Sequence, residues 1–147
     1  MGMIYIGADH RGFELKAKLL DWLKLNGYNT VDCGAFVYDP NDDYPEFAEE
    51  VAEKVSEEES NRGVVICGSG VGVDIVANKV EGIRCGLGFD TEQVKKTRED
   101  DDINILAISA DSTPEEKTIE LIRVFLETKF KSTPSHERRI EEISNLD

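Results

Sequence analysis

Strand-like and helix-like segments alternate along the whole chain, and this alternation is the feature that most restricts the fold. Short apolar runs predict strands at 3–8, 29–33, 64–67, 84–87 and 104–108. Amphipathic or charged segments predict helices at 13–25, 46–58, 71–79, 91–98, 115–127 and 135–143. Such alternation builds a parallel sheet covered by helices on both faces. We therefore predict an α/β fold: a three-layer, Rossmann-like arrangement of five parallel strands with an extra C-terminal helix.

Length and charge restrict the partners of this chain. Its 147 residues suit a single domain, spanning 1–147. A net charge of −14 argues against nucleic acid and anionic membranes as partners. We expect neither a signal peptide nor a membrane span, since the sequence shows no apolar stretch long enough to cross a bilayer. We expect a cytoplasmic protein that binds a small molecule.

A glycine-rich run after the third predicted strand contains the strongest candidate for chemistry. The strand ends in Cys67, and Gly68, Gly70 and Gly72 follow at alternate positions before a helix-compatible segment. The carboxyl end of such a strand is where open α/β sheets bind ligands, and exposed N–H groups at a helix start favour an anion. The same helix end favours a thiolate. A base beside an anion hole is what proton abstraction next to a carbonyl requires.

Neither a metal site nor a nucleotide motif is predicted. The spacing of the glycines fits neither the dinucleotide fingerprint nor the P-loop, because the third glycine comes one position early and no Gly-Lys-Ser/Thr follows. Cys33, Cys67 and Cys85 form no Cys-x-x-Cys pair and lie far in sequence from both histidines, which argues against a zinc site. We interpret Cys33 and Cys85 as buried strand residues.

The first strand is followed by three consecutive polar side chains. Asp9, His10 and Arg11 come at its carboxyl end, and strands one and three are neighbours in most folds of this kind. Asp9 or His10 would then face Cys67 across the site, and the imidazole could exchange a proton with a sugar oxygen. The alternative interpretation makes Asp9 the N-cap of the helix that starts near Gly12.

With these motifs, the chain resembles the sugar-phosphate isomerases of the ribose-5-phosphate isomerase B type, which include the galactose-6-phosphate isomerase subunits. The resemblance runs from residue 3 to about residue 143. It is carried by Gly-Ala-Asp-His-Arg-Gly at 7–12, Asp-Tyr-Pro at 43–45, Ile-Cys-Gly-Ser-Gly-Val-Gly at 66–72, Ala-Asn-Lys at 77–79, Gly-Ile-Arg at 82–84 and Asn-Ile-Leu-Ala at 104–107.

The resemblance implies an aldose–ketose isomerase that works without a metal or other cofactor. Cys67 would move the proton between the two carbons, Ser69 would help to move protons between the oxygens, and the amides of 68–72 would stabilise the enediolate. The family forms dimers, often paired, so a homodimer or homotetramer with a shared site is expected. Substrate-binding positions are expected at Asp9, His10, Arg11, Asp43, Tyr44, Gly68, Gly70, Gly72, Asn78, Arg138 and Arg139.

This sequence departs from the family at three positions. Asp100 stands where the family usually has a ring-opening histidine; it either transfers that proton or lies in a solvated loop with no catalytic role. Asp111 and Ser135 stand where arginines usually bind the phosphate, and an acid at 111 would repel phosphate. Arg139 is kept, with Arg138 beside it.

Two explanations of the substrate are therefore open. The substrate is a sugar phosphate held by Arg11, Arg138 and Arg139, or it is a sugar that differs in length or lacks phosphate. A catalytically degraded, sugar-binding subunit, with or without a second type of subunit, is a further alternative. Thiol-transfer chemistry at Cys67 is disfavoured, because no resolving cysteine lies near it in the sequence.

Overall fold

A computed structural model describes residues 2–147, and its centre is a parallel sheet of five strands. The strands are β1 (Ile4–Ala8), β2 (Thr30–Asp32), β3 (Arg62–Cys67), β4 (Cys85–Leu87) and β5 (Ile105–Ser109). Their order across the sheet is β2-β1-β3-β5-β4, so β1 and β3 are direct neighbours. The predicted α/β architecture is confirmed.

Six helices connect and follow the strands. They are α1 (Phe13–Leu25), α2 (Tyr44–Ser56), α3 (Val71–Ala77), α4 (Thr91–Asp101), α5 (Glu115–Glu127) and the additional α6 (Pro134–Ser144). None of the helices within residues 2–147 has the length and apolar character needed to cross a bilayer.

The two faces of the sheet carry separate apolar cores, because successive strand residues point to opposite sides. Helices α1, α4 and α5 cover one face, where they meet Ile4, Ile6, Val64, Ile66, Leu106 and Ile108. Helices α2 and α3 cover the other face, which contains Val65, Ile105, Ala107 and the side chain of Cys67. Burial of each large aliphatic side chain contributes roughly 1.5–3 kcal/mol. These cores fix the strand ends that form the site.

Helix α2 starts two residues earlier than predicted. The predicted helix begins at residue 46, but Tyr44 and Pro45 already belong to the first turn of α2, after an extended Asp43. Proline is tolerated there because the first N–H groups of a helix have no intrahelical partner. Tyr44 is therefore the first residue of α2.

The acidic run 99–102 is not a solvated loop, which corrects one of the two readings of Asp100. Helix α4 continues to Asp101 and ends where Asp102 adopts a left-handed conformation. Glu99 is buried and accepts a hydrogen bond from Lys131 at 2.6 Å, which lowers the pKa of its carboxyl. Arg98 holds the helix end through Asp102 Oδ1 at 2.7 Å. Contacts with distant residues extend this helix, although its local sequence is strongly polar.

Candidate active site

The carboxyl ends of β1 and β3 form one wall of a pocket of about 540 Å³. Ala8 pairs with Ile66, so the next residues, Asp9 and Cys67, lie side by side at the sheet edge. The volume suits a small polar ligand, since ligand sites occupy about 300–1,000 Å³. The pocket is lined by Asp9, His10, Arg11, Asp42, Asp43, Tyr44, Cys67, Gly68, Ser69, Val71, Gly72, Ile75 and Asp111.

The Cys67 thiol sits at the start of α3. Its side chain is buried, and the backbone N–H of Gly70 donates to Sγ at 3.2 Å. The exposed Ser69 hydroxyl accepts from the N–H of Val71 at 3.2 Å. A donor on the sulfur and the positive end of a helix both stabilise a thiolate. The arrangement provides a base with hydrogen-bond donors beside it.

Two glycines of the loop are required by close approaches. Gly70 has a φ of +77°, and a Cβ there would stand 2.8 Å from the backbone nitrogen of Ser109 on β5. A Cβ on Gly72 would stand 2.4 Å from the ring of Tyr44. The loop therefore lies directly against β5 and α2, which holds its N–H groups in place.

Asp9 is buried at the end of β1. Its Oδ1 accepts the backbone N–H of Arg11 at 3.0 Å. Loss of hydration on burial raises the pKa of the Asp9 carboxyl, and the hydrogen bond from Arg11 opposes this shift. Gly12 occupies the N-cap position of α1 without a side-chain cap, so the alternative reading of Asp9 as the N-cap is wrong. Asp9 is a half-desolvated carboxyl that lines the pocket.

His10 is paired with an aspartate that the sequence analysis missed. His10 Nδ1 lies 2.7 Å from Asp42 Oδ1, and the backbone N–H of His10 donates to the same oxygen at 3.0 Å. The Asp42 side chain is only 9% exposed, and its Oδ2 has no hydrogen-bond partner among residues 2–147. The aspartate directly precedes the Asp-Tyr-Pro motif, which was its only signal in the sequence.

The group Asp9, His10 and Asp42 is also where a cation could bind. Their ligand atoms lie within 4.8 Å of one another, the only such group found within residues 2–147. However, Asp42 Oδ1 already accepts two hydrogen bonds from His10. A carboxylate that accepts from an imidazole N–H forms an acid–base pair, and we assign the group as such.

Arg11 and Asp111 form an ion pair across the glycine loop. An Nη2–H of Arg11 donates to Asp111 Oδ2, which raises the pKa of the guanidinium. The pair lies over Gly68, where a Cβ would meet both side chains at 3.0–3.1 Å. Arg11 therefore compensates the acid at position 111. The pocket as a whole still contains four carboxylates and one guanidinium.

Apart from Gly70, which reaches the site only through its backbone N–H, four predicted site residues lie outside the pocket of their own chain. Asn78 lies at the end of α3, where its amide bonds Asp74 and both backbone groups of Cys85. These contacts give Asn78 a structural role, and the geometry lends no support to its expected role in sugar binding.

The other three residues belong to α4 and α6. Because α4 runs back from the carboxyl edge of the sheet, Asp100 near its end lies at the opposite edge, 3.5 Å from His136 Nε2. Arg138 and Arg139 are exposed on α6, which packs on α4. The structure thus collects these charges at a distance from Cys67.

A second cavity of about 410 Å³ opens at the amino edge of the sheet and is lined partly by two arginines. Both arginines already have partners in their own chain. Arg84 donates to the carboxylate and the carbonyl of Asp102, and Arg62 donates to the carbonyls of Glu59 and Asn61. No cysteine or histidine lines this cavity within the described residues, 2–147. The chemistry is therefore concentrated at the carboxyl edge.

A thiol that accepts the Gly70 N–H, beside carboxyls and an imidazole, defines a site suited to proton transfer on a small polar molecule. Comparison with known proteins assigns the family. Residues 4–143 match the family described as Ribose/Galactose Isomerase. Ribose-5-phosphate isomerase B of Mycolicibacterium paratuberculosis is 36% identical over 138 residues, which cover 94% of this chain and 87% of the relative.

Comparison with solved structures leads to the same family. Ribose-5-phosphate isomerase B of Mycoplasma genitalium, determined with bound ribulose-5-phosphate, has a TM-score of 0.95 at 36% identity and covers 98% of this chain and 95% of that one. The enzyme of Clostridium thermocellum has a TM-score of 0.94 at 36% identity, covering 99% and 97%. The chain belongs to the ribose/galactose isomerase family. The family and the enzyme class predicted from the motifs, an aldose–ketose isomerase, are confirmed.

Proposed function

We propose that this protein interconverts ribose 5-phosphate and ribulose 5-phosphate through an enediolate, with Cys67 as the base. The observation that carries the proposal is the placement of the Cys67 sulfur, 3.2 Å from the Gly70 N–H and inside a pocket lined by carboxyls and an imidazole. Membership of the family supplies the reaction class. The choice of substrate follows the names of the relatives described above.

In this mechanism the thiolate of Cys67 removes the proton from C2 of the open-chain aldose. Electrons move into the C1 carbonyl, and the backbone N–H groups of 68–72 stabilise the resulting enediolate oxygen. The Ser69 hydroxyl moves a proton between O1 and O2. Cys67 then returns its proton to C1, which gives the ketose. No net oxidation occurs, because the same proton and electron pair are redistributed within the sugar.

The phosphate requires more positive charge than the pocket of one chain offers, since its one cation, Arg11, is paired with Asp111. Asp100, Arg138 and Arg139 lie away from the pocket of their own chain, and the proposal assigns them to the pocket of a second copy, in a homodimer or a pair of dimers. Two arginines from the second copy would supply the donors that a phosphate requires. Each site would then need both chains.

Mixed dimers test this sharing. We expect C67A and the double variant R138A/R139A to be inactive alone. In a mixed dimer one of the two sites keeps both its Cys67 and the arginines of the other chain. Random mixing should restore about one quarter of wild-type activity, since half of the dimers are mixed. Absence of any recovery, with mixed dimers demonstrated by mass spectrometry, would contradict the shared site.

A second candidate is an isomerase of a sugar that differs in length or carries no phosphate. The observation in its favour is the negative charge of the pocket, where Arg11 is already ion-paired with Asp111. A neutral sugar would meet no repulsion from these carboxylates.

One experiment separates the candidates. The protein is incubated in heavy water with phosphorylated and free aldoses and ketoses, and NMR follows interconversion and deuterium uptake beside the carbonyl. We expect turnover of ribose 5-phosphate that is lost in C67A, while circular dichroism shows that the variant folds. Turnover of only a free sugar would select the second candidate. Equal exchange in C67A and wild type would refute Cys67 as the base.

A further inference from the structure

We propose that His10, supported by Asp42, is the acid–base residue that opens the sugar ring before Cys67 acts. This inference rests on the proposed function. An aldose 5-phosphate closes through O4 into a five-membered ring, and its C2 proton becomes acidic only when C1 is a free aldehyde. In the opening step the O1 hydroxyl loses its proton, the C1–O4 bond breaks and O4 gains a proton. Atoms and electrons balance without a further reagent.

The geometry suits His10 to this task. The Nδ1 nitrogen is occupied by Asp42 Oδ1 at 2.7 Å, so Nε2 is the ring nitrogen left for a ligand. The backbone N–H of His10 binds the same oxygen at 3.0 Å, which fixes the carboxylate relative to the imidazole ring. A buried carboxylate on Nδ1 sets the tautomer and stabilises the imidazolium that forms when Nε2 takes a proton. His10 lines the same pocket as Cys67.

The neighbours of His10 are mostly acidic. Asp9 is close enough to interact with its charge, Asp42 lies on Nδ1, and the Tyr38 ring stands edge-on at 6.5 Å. The nearest cation in the pocket is Arg11, whose charge is balanced by Asp111. Within the pocket, the imidazole therefore borders two carboxylates and no unpaired cation.

The remaining candidate groups are less suited to opening the sugar ring. A free carboxyl, whose pKa is about 4, is a weak base at neutral pH. Burial raises the pKa of Asp9, but its Oδ1 already accepts the backbone N–H of Arg11. Asp100, at the position where a histidine was expected, is also a carboxyl, and under the proposed function it reaches the pocket only from the second copy. The sequence contains two histidines, and the second, His136, pairs with that same Asp100 at 3.5 Å and binds the carbonyl of Lys131 through Nδ1. His136 therefore offers a matched comparison: an imidazole also paired with an aspartate, but one that lies outside the pocket of its own chain.

The experiment compares two reactions of one enzyme. Conversion of ribose 5-phosphate requires ring opening. Uptake of deuterium into C1 of ribulose 5-phosphate does not, because a ketose with a phosphorylated O5 cannot close a five-membered ring. We expect H10N to lower kcat/KM for ribose 5-phosphate by about 10²–10³-fold, the usual contribution of a general acid–base residue. D42N should lower it by about tenfold or more, as expected when the partner that orients an imidazole is lost. Deuterium uptake into ribulose 5-phosphate should change less than about threefold in either variant.

The controls make each outcome decisive. H136N should leave the ratio of the two rates unchanged, whereas C67A should abolish both reactions. Thermal melting verifies that H10N and D42N are folded, and H10Q repeats the test with a different side chain. An equal loss of both reactions in H10N, or a selective loss of ring opening in H136N, would overturn the proposal. Failure of the proposed function itself has a different signature, because wild type would then catalyse neither reaction.

Discussion

Replacing Gly70 with alanine tests whether the glycine loop is held by its packing against β5. At this position φ is +77°, and an added Cβ would lie 2.8 Å from the Ser109 nitrogen and 2.9 Å from the Ile108 carbonyl carbon. Both contacts are with backbone, so rotation of a side chain cannot relieve them. The loop or the strand must shift, and the N–H of Gly70 must then move relative to Cys67 Sγ.

The expected cost has two parts. The left-handed conformation costs a residue with a Cβ roughly 1–2 kcal/mol. Forcing an additional carbon into a packed interior costs roughly 1–3 kcal/mol more. G70A should therefore lower the free energy of unfolding by about 2–5 kcal/mol, and lower Tm by about 2–4 °C for each kcal/mol.

Two other glycines provide matched controls. Gly27 and Gly82 have φ values of +82° and +84°, but a Cβ on either would meet nothing within 4 Å. G27A and G82A should each show only the conformational cost of about 1–2 kcal/mol. Urea unfolding, followed by circular dichroism, measures all three variants. If G70A is no less stable than the two controls, the close approach of the loop to β5 does not constrain the protein.

Three further expectations concern the pocket and its charges. Burial raises the pKa of Cys33 to about 11, so iodoacetamide at pH 8 should label Cys67 before Cys33, as measured by peptide mass spectrometry, and substrate should slow the labelling. Because burial raises the pKa of Asp9, its contribution to stability is complete below the ordinary value of 3.8 and is lost as pH rises through the folded value. D9N should therefore gain stability relative to wild type over that interval in pH-dependent urea unfolding, and an unchanged difference would contradict the burial argument. D111N removes a negative charge and releases Arg11, so it should lower the inhibition constant of inorganic phosphate severalfold; weaker inhibition would show that Asp111 positions Arg11 for the anion.

Much of the sheet could be predicted, because parallel strands buried on both faces have continuous apolar sequences. The run 64–67 was one such case, and β3 begins only two residues earlier, at Arg62. Boundaries set by distant contacts could not be read in the same way. The end of α4 depends on Lys131 and on the bonds of Arg98, neither of which leaves a local pattern in the acidic run.

The candidate site could likewise be predicted only where local sequence and topology place a residue. Residues that directly follow a strand, such as Asp9 and Cys67, could be located because topology alone brings strand ends together. Asp42 lies in a loop, 32 residues from the histidine it binds, and no periodicity connects the two. From the sequence alone, Asp111 is expected to repel an anion. Its ion pair with Arg11 becomes visible only in the structure.

The strand order has a consequence for how the chain acquires its structure during synthesis. In the sheet β4 pairs with β5 and not with any strand that precedes it. When a ribosome has released residues up to Leu87, the nascent chain can join β1, β2 and β3, but β4 must wait without a partner until Ile105–Ser109 has emerged. Since β5 then inserts between β3 and β4, and also packs on Gly70, the glycine loop reaches its final form late. A pause in translation between these two strands would prolong a state in which β4 lacks its only strand partner and is open to wrong associations.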